Sequence, residues 1–259
     1  MKFYAEDINI AYSKNVIVEN LSFEIPRGKI TALIGANGSG KSTILKTMCR
    51  IMKPSSGQVI LDGKSIHTQS TKDLAKKLAI LTQNPEAPEG LTVEELIAYG
   101  RSPHKSGFGR LNDKDEETIE WALEVTAMKE FAKRPLEQLS GGQRQRAWIA
   151  MCIAQDTDIL FLDEPTTFLD ISHQLEVLKL LKHLNETYKK TIVMVVHDLN
   201  HASRFADYIV SIKKGKIVSE GSPEEVITTE NCKEVFGVIV DILIDTRTNK
   251  PLCVPFDNC

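Results

Sequence analysis

The fold of this 259-residue chain is decided by one stretch, Gly35-Ala36-Asn37-Gly38-Ser39-Gly40-Lys41-Ser42. It satisfies the phosphate-binding P-loop pattern, in which four residues separate a glycine from a terminal Gly-Lys-Ser or Gly-Lys-Thr. The glycines allow the backbone to curl so that successive N–H groups point inward at a phosphate chain. We expect Lys41 to reach the outer phosphates and the Ser42 hydroxyl to ligate Mg²⁺.

The residues on either side supply the context that a P-loop needs. An apolar run from Ile30 to Ile34 predicts a buried strand, and the segment from Thr43 to Met48 predicts a helix. The N-terminus of that helix adds its dipole to the anion site. The alternative, a flexible Gly/Ser turn, is weak once both flanks are counted. The sequence therefore predicts that residues 35–43 bind the phosphates of a nucleotide.

Composition excludes several broad classes of protein. Hydrophobic residues make up 42% and charged residues 26%, so the chain can bury a sizeable core and is not disordered. Its net charge of -3 gives no electrostatic footprint for nucleic acid. No apolar run approaches the roughly 18 residues that a membrane span needs. The N-terminus turns acidic at Glu6 and Asp7, unlike a signal peptide, so a cytoplasmic protein is expected.

The cysteines predict neither a disulfide framework nor a zinc site. They are odd in number, scattered, and without a C-x-x-C pair: Cys49, Cys152, Cys232, Cys253 and Cys259. We expect reduced thiols, as in a reducing compartment.

The order of strands and helices predicts an α/β protein with one inserted segment. Short strands with polar turns fill residues 3–34, and apolar strands then alternate with helices, which is typical of a mainly parallel sheet covered on both faces. From 85 to 155 the pattern turns helical, with a capping box at Thr92 and Glu95. We therefore expect three parts: a core of residues 1–84 and 156–230, a helical subdomain at 85–155, and an extension at 231–259 holding a helix end and a β-hairpin.

Four of the predicted apolar strands end in polar residues. The P-loop follows Ile34, and the others are Gln83 after Leu81, Asp163 and Glu164 after Leu162, and His197 after Val196. Ligands of such sheets bind beyond the carboxyl ends of the strands. We therefore expect these residues to converge on one ligand.

Asp163 and Glu164 place two carboxylates at the end of an apolar strand. One of them can hold the Mg²⁺ that bridges the outer phosphates, directly or through water. Because metal binding needs only Asp163, Glu164 is left to orient or deprotonate an attacking water. The alternative is an Asp-Glu pair that simply ends a strand, and the upstream P-loop favours the metal interpretation.

A second anion-binding helix start is predicted at Leu139-Ser140-Gly141-Gly142-Gln143. Ser140 is a good N-cap and Gln143 its capping-box partner, which alone explains these two residues. Capping does not explain the paired glycines, which are poor helix formers. They do allow a phosphate to approach the exposed N–H groups of the helix start. A second such site, separate from the P-loop, suggests a ligand site that another surface completes.

These motifs together resemble the ATP-binding cassette (ABC) ATPases over essentially residues 3–230. Leu139–Gln143 match the signature motif of that family, Gly35–Ser42 its Walker A motif, and Ile159–Glu164 its Walker B motif with the catalytic glutamate. The remaining matches are Tyr12 as the aromatic residue that stacks on adenine, Gln83 in the Q-loop, Phe168-Leu169-Asp170 as the D-loop, and His197 as the switch histidine. The resemblance implies a P-loop NTPase fold with a mainly parallel sheet, an N-terminal antiparallel β subdomain and an inserted helical subdomain.

The same resemblance implies a mechanism and partners. Two copies pair head to tail in this family, and each ATP lies between the P-loop of one copy and the signature of the other. Glu164 would activate water while Lys41 and His197 contact the outer phosphates, and Mg²⁺ would be held by Ser42, Gln83 and Asp163. Integral-membrane permease subunits would bind the homodimer at the cytoplasmic face of the membrane, with a substrate-binding lipoprotein as an indirect partner.

Two segments narrow the resemblance to importers of iron-siderophores and cobalamin, and most of all to ferric hydroxamate (ferrichrome-type) uptake. They are Tyr99-Gly100-Arg101-Ser102-Pro103-His104 with Phe108-Gly109-Arg110-Leu111, and Pro165-Thr166-Thr167-Phe168-Leu169-Asp170-Ile171-Ser172-His173-Gln174. We therefore expect the ATP-hydrolysing subunit of a bacterial ferric siderophore importer.

Three alternatives stay open. A cobalamin or haem importer ATPase differs in cargo but not in chemistry. The second is a soluble ABC ATPase of DNA repair or cofactor assembly; repair members carry a long coiled coil, and no heptad run exists here. A nucleotide-sensing module without turnover would have no need of Glu164 and His197.

Overall fold

Two compact units make up the chain in this computed structural model, which describes residues 2–13, 15–105 and 110–259. The first unit combines residues 1–69 with 191–259, and the second spans residues 70–190. Phe108 and Gly109, which carry part of the importer resemblance, lie outside the described residues.

The strands and α-helices of the described residues follow in chain order: β1 (Phe3–Tyr12), β2 (Asn15–Glu24), β3 (Ile30–Ile34), α1 (Lys41–Met48), β4 (Ser56–Leu61), β5 (Lys64–Ser65), α2 (Thr71–Ala75), β6 (Leu78–Leu81), α3 (Val93–Tyr99), α4 (Asp113–Val125), α5 (Gly141–Ala154), β7 (Ile159–Leu162), α6 (Ile171–Tyr188), β8 (Thr191–Val195), α7 (Leu199–Phe205), β9 (Tyr208–Lys213), β10 (Lys216–Gly221), α8 (Pro223–Val226), α9 (Thr229–Phe236), β11 (Val238–Asp245) and β12 (Lys250–Asn258). Two 3₁₀ turns, Lys129–Phe131 and Leu136–Gln138, precede α5.

The first unit is built on an antiparallel sheet, a group of mainly parallel strands and a C-terminal hairpin. The antiparallel sheet has the strand order β2-β1-β4-β5. In the second group, β10, β9, β3 and β8 are neighbours in that order, and β3 runs parallel to both β8 and β9. Every residue of β3 and β8 is buried, which explains why all but Thr31 and Thr191 are apolar. β11 and β12 form the predicted antiparallel pair.

The second unit holds one parallel strand pair and most of the long helices. β6 and β7 pair in register from Leu78 with Ile159 to Leu81 with Leu162. Helices α3, α4 and α5 pack against one another. One face of α4 is apolar and buried, and it includes Ile119, Ala122 and Leu123.

A buried ion pair ties two of these helices together. Arg101 Nε donates to Asp115 Oδ1 at the start of α4, and Arg101 Nη1 donates to the Ala154 carbonyl at the end of α5, both at 2.8 Å. Burial raises the pKa of the Asp115 carboxyl, but hydrogen bonds from the Asn112 N–H and from Arg101 outweigh it, so the pKa lies below its ordinary value. The carboxylate therefore stays ionised inside the helical layer.

The sequence pattern does not predict three short elements: β5, α2 and α7. The helix end expected within 231–259 is the C-terminal part of α9. α4 ends at Val125, and Ala127 two residues later adopts a left-handed backbone with φ 54°. The proposed boundaries of the helical subdomain, 85–155, stay a prediction. Among the described residues, no helix combines the length and hydropathy that crossing a membrane requires.

Candidate nucleotide-binding and catalytic site

The P-loop leaves the buried strand β3 and curls into α1, as predicted. A Cβ built on Gly35, where φ is 153°, would lie 2.1 Å from the Ile212 carbonyl oxygen, so the first position of the loop excludes any side chain. Gly38 has a φ of 75° and open space around it. The Ser39 N–H donates to the Ala36 carbonyl at 3.1 Å and closes the turn.

Lys41 is held inside this loop. Its side chain is only 5% exposed, and Nζ donates to the carbonyls of Gly35 at 2.8 Å and Ala36 at 3.0 Å. Ser39 Oγ is buried and has no hydrogen-bond partner among the described residues. Phosphate oxygens can serve as acceptors for both groups, so the loop suits a polyphosphate. Ala36, Asn37 and Gly38 are exposed.

Helix α1 begins without a side-chain cap. Its N-cap residue is Gly40, with φ 103°, which offers no side-chain acceptor to the first turn. The first N–H groups of a helix have no partner within the helix, and they are the groups to which an anion binds. Lys41, Ser42 and Thr43 form this turn.

His197 lies at the same strand edge as the P-loop. β8 pairs with β3 in parallel, with Leu33 opposite Val195, and the Val196 N–H donates to the Leu33 carbonyl at 3.2 Å. His197 follows directly and is exposed. Tyr12 is at the end of β1 and is 51% exposed, so its ring is accessible for stacking.

Gln83 and Glu164 form a direct contact in the second unit. β6 and β7 end together at Leu81 and Leu162, and Gln83 Nε2 donates to Glu164 Oε2 at 2.7 Å. Thr167 Oγ1 donates to the same oxygen at 3.0 Å. Glu164 adopts a left-handed backbone with φ 55°, an uncommon conformation for this residue type that is often found at functional sites.

Asp163 is buried at the end of β7, with 1% of its surface exposed. Its N–H donates to the Leu81 carbonyl at 2.9 Å, so the ladder between β6 and β7 fixes its position. A buried carboxylate beside an exposed glutamine amide supplies the oxygen ligands that suit Mg²⁺. The metal roles of Ser42, Gln83 and Asp163 stay predictions.

The segment Leu139–Gln143 begins α5 with the predicted capping box. The Gln143 N–H donates to Ser140 Oγ at 3.3 Å, and the Ser140 N–H donates to Gln143 Oε1 at 3.0 Å. Ser140 and Gly141 are exposed, whereas Gly142 is buried. The helix start therefore has both hydrogen bonds of its capping box and is still open to solvent.

The D-loop, residues 168–170, leads into α6. Phe168 has a φ of 63° and is 88% exposed, and Asp170 is the N-cap residue of α6, accepting the His173 N–H at 2.9 Å. Bonds from the backbone and the ring of His173 hold the pKa of the Asp170 carboxyl below its ordinary value. Asp170 is thus ionised at neutral pH.

Sequence reasoning misses two contacts of this site. His173 packs on Gly142: a Cβ built on that glycine would lie 2.3 Å from His173 Cδ2. Thr167 holds Glu164. The N-cap spacing of Asp170 and His173 is visible in the sequence, but the contact with Gly142 joins different helices and has no local signal.

The predicted site residues are divided between the two units. The P-loop, Tyr12 and His197 belong to the first, and the second holds Gln83, Asp163, Glu164, the signature segment 139–143 and the D-loop.

Comparison with known proteins identifies the family. The family model for ABC transporters matches residues 18–167, more than half of the chain. The chain belongs to the ABC transporter family. This result confirms the fold and the ATPase function that the sequence motifs predict.

Two relatives and one solved ABC structure extend this result. The chain is 60% identical over 252 residues to the iron(3+)-hydroxamate import ATP-binding protein FhuC of Bacillus subtilis (strain 168), covering 97% of this chain and 94% of that protein. It is 50% identical over 248 residues to the petrobactin import ATP-binding protein FpuD of Bacillus anthracis, covering 96% and 91%. The dimeric post-hydrolysis state of the ATP-binding cassette MJ0796 with ADP and Pi matches with a TM-score of 0.73 and 28% identity, covering 85% and 98%. The resemblance to siderophore-importer ATPases is confirmed.

Proposed function

We propose that this ABC ATPase is the ATP-hydrolysing subunit of an importer for ferric siderophores of the hydroxamate class. The observation that carries the cargo assignment is the 60% identity to an iron(3+)-hydroxamate import protein over 97% of the chain. Identity to the petrobactin protein is lower, at 50%. The cargo would contact the permease and not this subunit. The cargo class is therefore inferred from similarity over the whole chain and not from a binding site for the cargo.

Lys41, Glu164 and His197 carry the hydrolytic chemistry in this proposal. Lys41 leaves the two loop carbonyls that now hold it and donates to the outer phosphates. Glu164 orients and deprotonates the attacking water, and His197 donates to the γ-phosphate. Gln83 and Thr167 both donate to one oxygen of Glu164, which positions the base.

Mg²⁺ would be held by the Ser42 hydroxyl, the Asp163 carboxylate and the Gln83 amide oxygen. When bound, it would neutralise charge on the outer phosphates. Asp163 fits this role because it is buried at a fixed strand end, where an ionised oxygen gains from a cation. Gln83 must turn its amide away from its present position, in which the NH₂ group faces Glu164.

A second copy of the chain would complete each ATP site. The exposed start of α5 provides N–H groups and two glycines but no lysine, so it can bind a phosphate only as part of a larger site. The MJ0796 cassette, a solved relative by structure, is dimeric with ADP and Pi. In this arrangement, Ser140, Gly141 and Gln143 contact the γ-phosphate held by the P-loop of the other copy, and Tyr12 stacks on its adenine.

The remaining partners follow from the import function. Permease subunits would bind the homodimer at the cytoplasmic face of the membrane. A substrate-binding lipoprotein would deliver the cargo to the permease on the opposite side of the membrane. No role with nucleic acid is proposed, since the net charge is -3.

Uptake of radiolabelled iron tests the cargo assignment. A strain lacking this gene is expected to lose uptake from ferrichrome and to regain it with the wild-type gene, but not with the Glu164→Gln variant. Uptake from ferric petrobactin, cobalamin and haem, measured in parallel, should be unchanged. If ferrichrome uptake persists in a strain with no second hydroxamate ATPase, the cargo assignment is wrong. If uptake of one of the other cargoes is lost instead, that cargo replaces it.

A further inference from the structure

His173 lies between the D-loop and the signature segment of the same chain. Its Nδ1 lies 2.9 Å from Asp170 Oδ2, and an ionised carboxylate can only accept, so Nδ1–H is the donor. Gly142 lies against Cβ, Cγ and Cδ2 of the same side chain: a Cβ built on it would lie 2.3 Å from Cδ2 and 2.6 Å from Cγ. The side chain of His173 is 33% exposed and therefore largely packed.

Gly142 is accordingly required by the fold of one chain, independently of any ligand. Helix propensity favours alanine over glycine at such a position. Here a side chain would meet the ring of His173 at a distance that Cβ atoms do not adopt. The glycine thus allows α5 and α6 to approach closely at their N-terminal ends.

The hydrogen bond from the His173 ring to Asp170 is not needed to cap α6. Capping of α6 needs one carboxylate oxygen, and Asp170 Oδ1 already accepts the His173 N–H at 2.9 Å. The second oxygen binds the imidazole and fixes its orientation. Leu169 of the D-loop lies near the first glycine of the signature segment as well, since a Cβ built on Gly141 would lie 3.6 Å from Leu169 Cδ2, an ordinary packing distance.

We propose that His173 is a positioning residue that couples the D-loop to the signature segment, so that the two segments approach the partner's nucleotide as one rigid body. This inference rests on the proposed function, in which the signature completes the ATP site of a second copy. The coupling follows from close packing, because a side chain that is bonded to Asp170 through Nδ1 and packed on Gly142 through Cγ and Cδ2 transmits a displacement of either segment to the other.

Three substitutions separate the two contacts of the ring. His173→Asn keeps a donor near the position of Nδ1 but removes most of the ring, His173→Phe keeps the ring without the donor, and His173→Ala removes both. We expect His173→Ala to lower kcat about tenfold with little change in nucleotide binding by the monomer, and the other two to retain intermediate activity. His183→Ala is the matched control, because His183 is an exposed histidine further along the same helix.

ATP-driven dimerisation distinguishes positioning from a merely structural role. In a Glu164→Gln parent, which is expected to form an ATP-bound dimer, His173→Ala should raise the ATP concentration needed for dimerisation about tenfold. A parent that does not dimerise at all overturns the proposed function. A parent that dimerises, with a His173→Ala variant that dimerises equally well and retains kcat, overturns the positioning role alone.

A double-mutant cycle on thermal stability tests the contact itself without nucleotide. Gly142→Ala should lower the melting temperature by at least about 3 °C in the wild-type background, because the methyl group overpacks the ring. In the His173→Ala background, the two atoms nearest to the added methyl group are gone and Cβ of residue 173 lies at 3.0 Å, so the same change should cost less than half as much. Equal losses in both backgrounds would show that the ring does not pack on Gly142 and would overturn the proposal.

Discussion

The two helix starts expected to meet phosphate, α1 and α5, are built in opposite ways. α1 begins at Gly40, with a left-handed backbone and no side-chain cap. α5 begins at Ser140 with both hydrogen bonds of a capping box in place. The cationic side chain of the first site, Lys41, is buried in its loop, whereas Ser140 and Gly141 of the second are exposed.

This difference indicates an order of events. The start of α1 carries a buried lysine and has no side-chain cap, so it should bind nucleotide in a single chain. At the start of α5, side chains already accept from two N–H groups, those of Ser140 and Gln143, and the first three residues of the helix carry no cation. This helix start therefore gains less from an anion alone and should act only when a second copy delivers the bound nucleotide. Changes at α1 should therefore affect nucleotide binding by a single chain, and changes at α5 should affect dimer formation around the bound nucleotide.

Removing the cation at α1 should have the largest effect. Lys41→Ala is expected to lower kcat/KM for ATP by more than about 100-fold, since the outer phosphates lose a preorganised charge. Nucleotide binding to the monomer should fail as well, as measured by fluorescence titration. Lys46→Ala, in the last turn of the same helix, is the control and should bind normally. Normal ATP binding by Lys41→Ala would contradict the assignment of the loop.

Blocking the start of α5 should abolish ATP hydrolysis without abolishing ATP binding by the monomer. Ser140→Arg places a bulky cation where the partner's nucleotide would enter, so ATPase activity should fall to background while the monomer binds ATP with unchanged affinity. The matched control is Ser222→Arg, because Ser222 begins α8 with the same kind of capping box. If Ser140→Arg abolishes binding to the monomer, the two helix starts do not act from different copies.

Removing only the cap of α5 should have the smallest effect. Ser140→Ala deletes the acceptor for the Gln143 N–H and should lower the free energy of unfolding by about 1 kcal/mol. Urea denaturation of the nucleotide-free protein measures this change, with Ser222→Ala as the reference at a second capped start. A neutral Ser140→Ala would indicate that the hydroxyl stabilises bound nucleotide and not the helix.

The sequence predicts the location of the P-loop, Gln83, Asp163 and His197 because each follows a short apolar strand. Such strands are recognisable when both faces are buried, and β6 ends at the predicted Leu81. Within each unit, the parallel register then brings the ends of two paired strands to the same edge. Position at a strand end is thus a local property with a predictable structural consequence.

Side-chain pairing between distant segments could not be predicted in the same way. Arg101 is interpreted from sequence only as part of the importer resemblance, yet it is fully buried on Asp115 and the end of α5. The bond from Gln83 to Glu164 and the packing of His173 on Gly142 likewise depend on how helices and loops meet. No periodicity or cap signal encodes those distances.

The central claim is that α5 of one copy completes the nucleotide site of another, and the mass of the Glu164→Gln protein in solution tests it most directly. Glutamine at position 164 cannot act as a base, so ATP should bind and persist. Light scattering after size exclusion should give the mass of one chain without nucleotide and of two chains with ATP and Mg²⁺. The combined Ser140→Arg, Glu164→Gln protein should bind ATP and remain a single chain. A combined variant that dimerises as readily as its parent would contradict the claim.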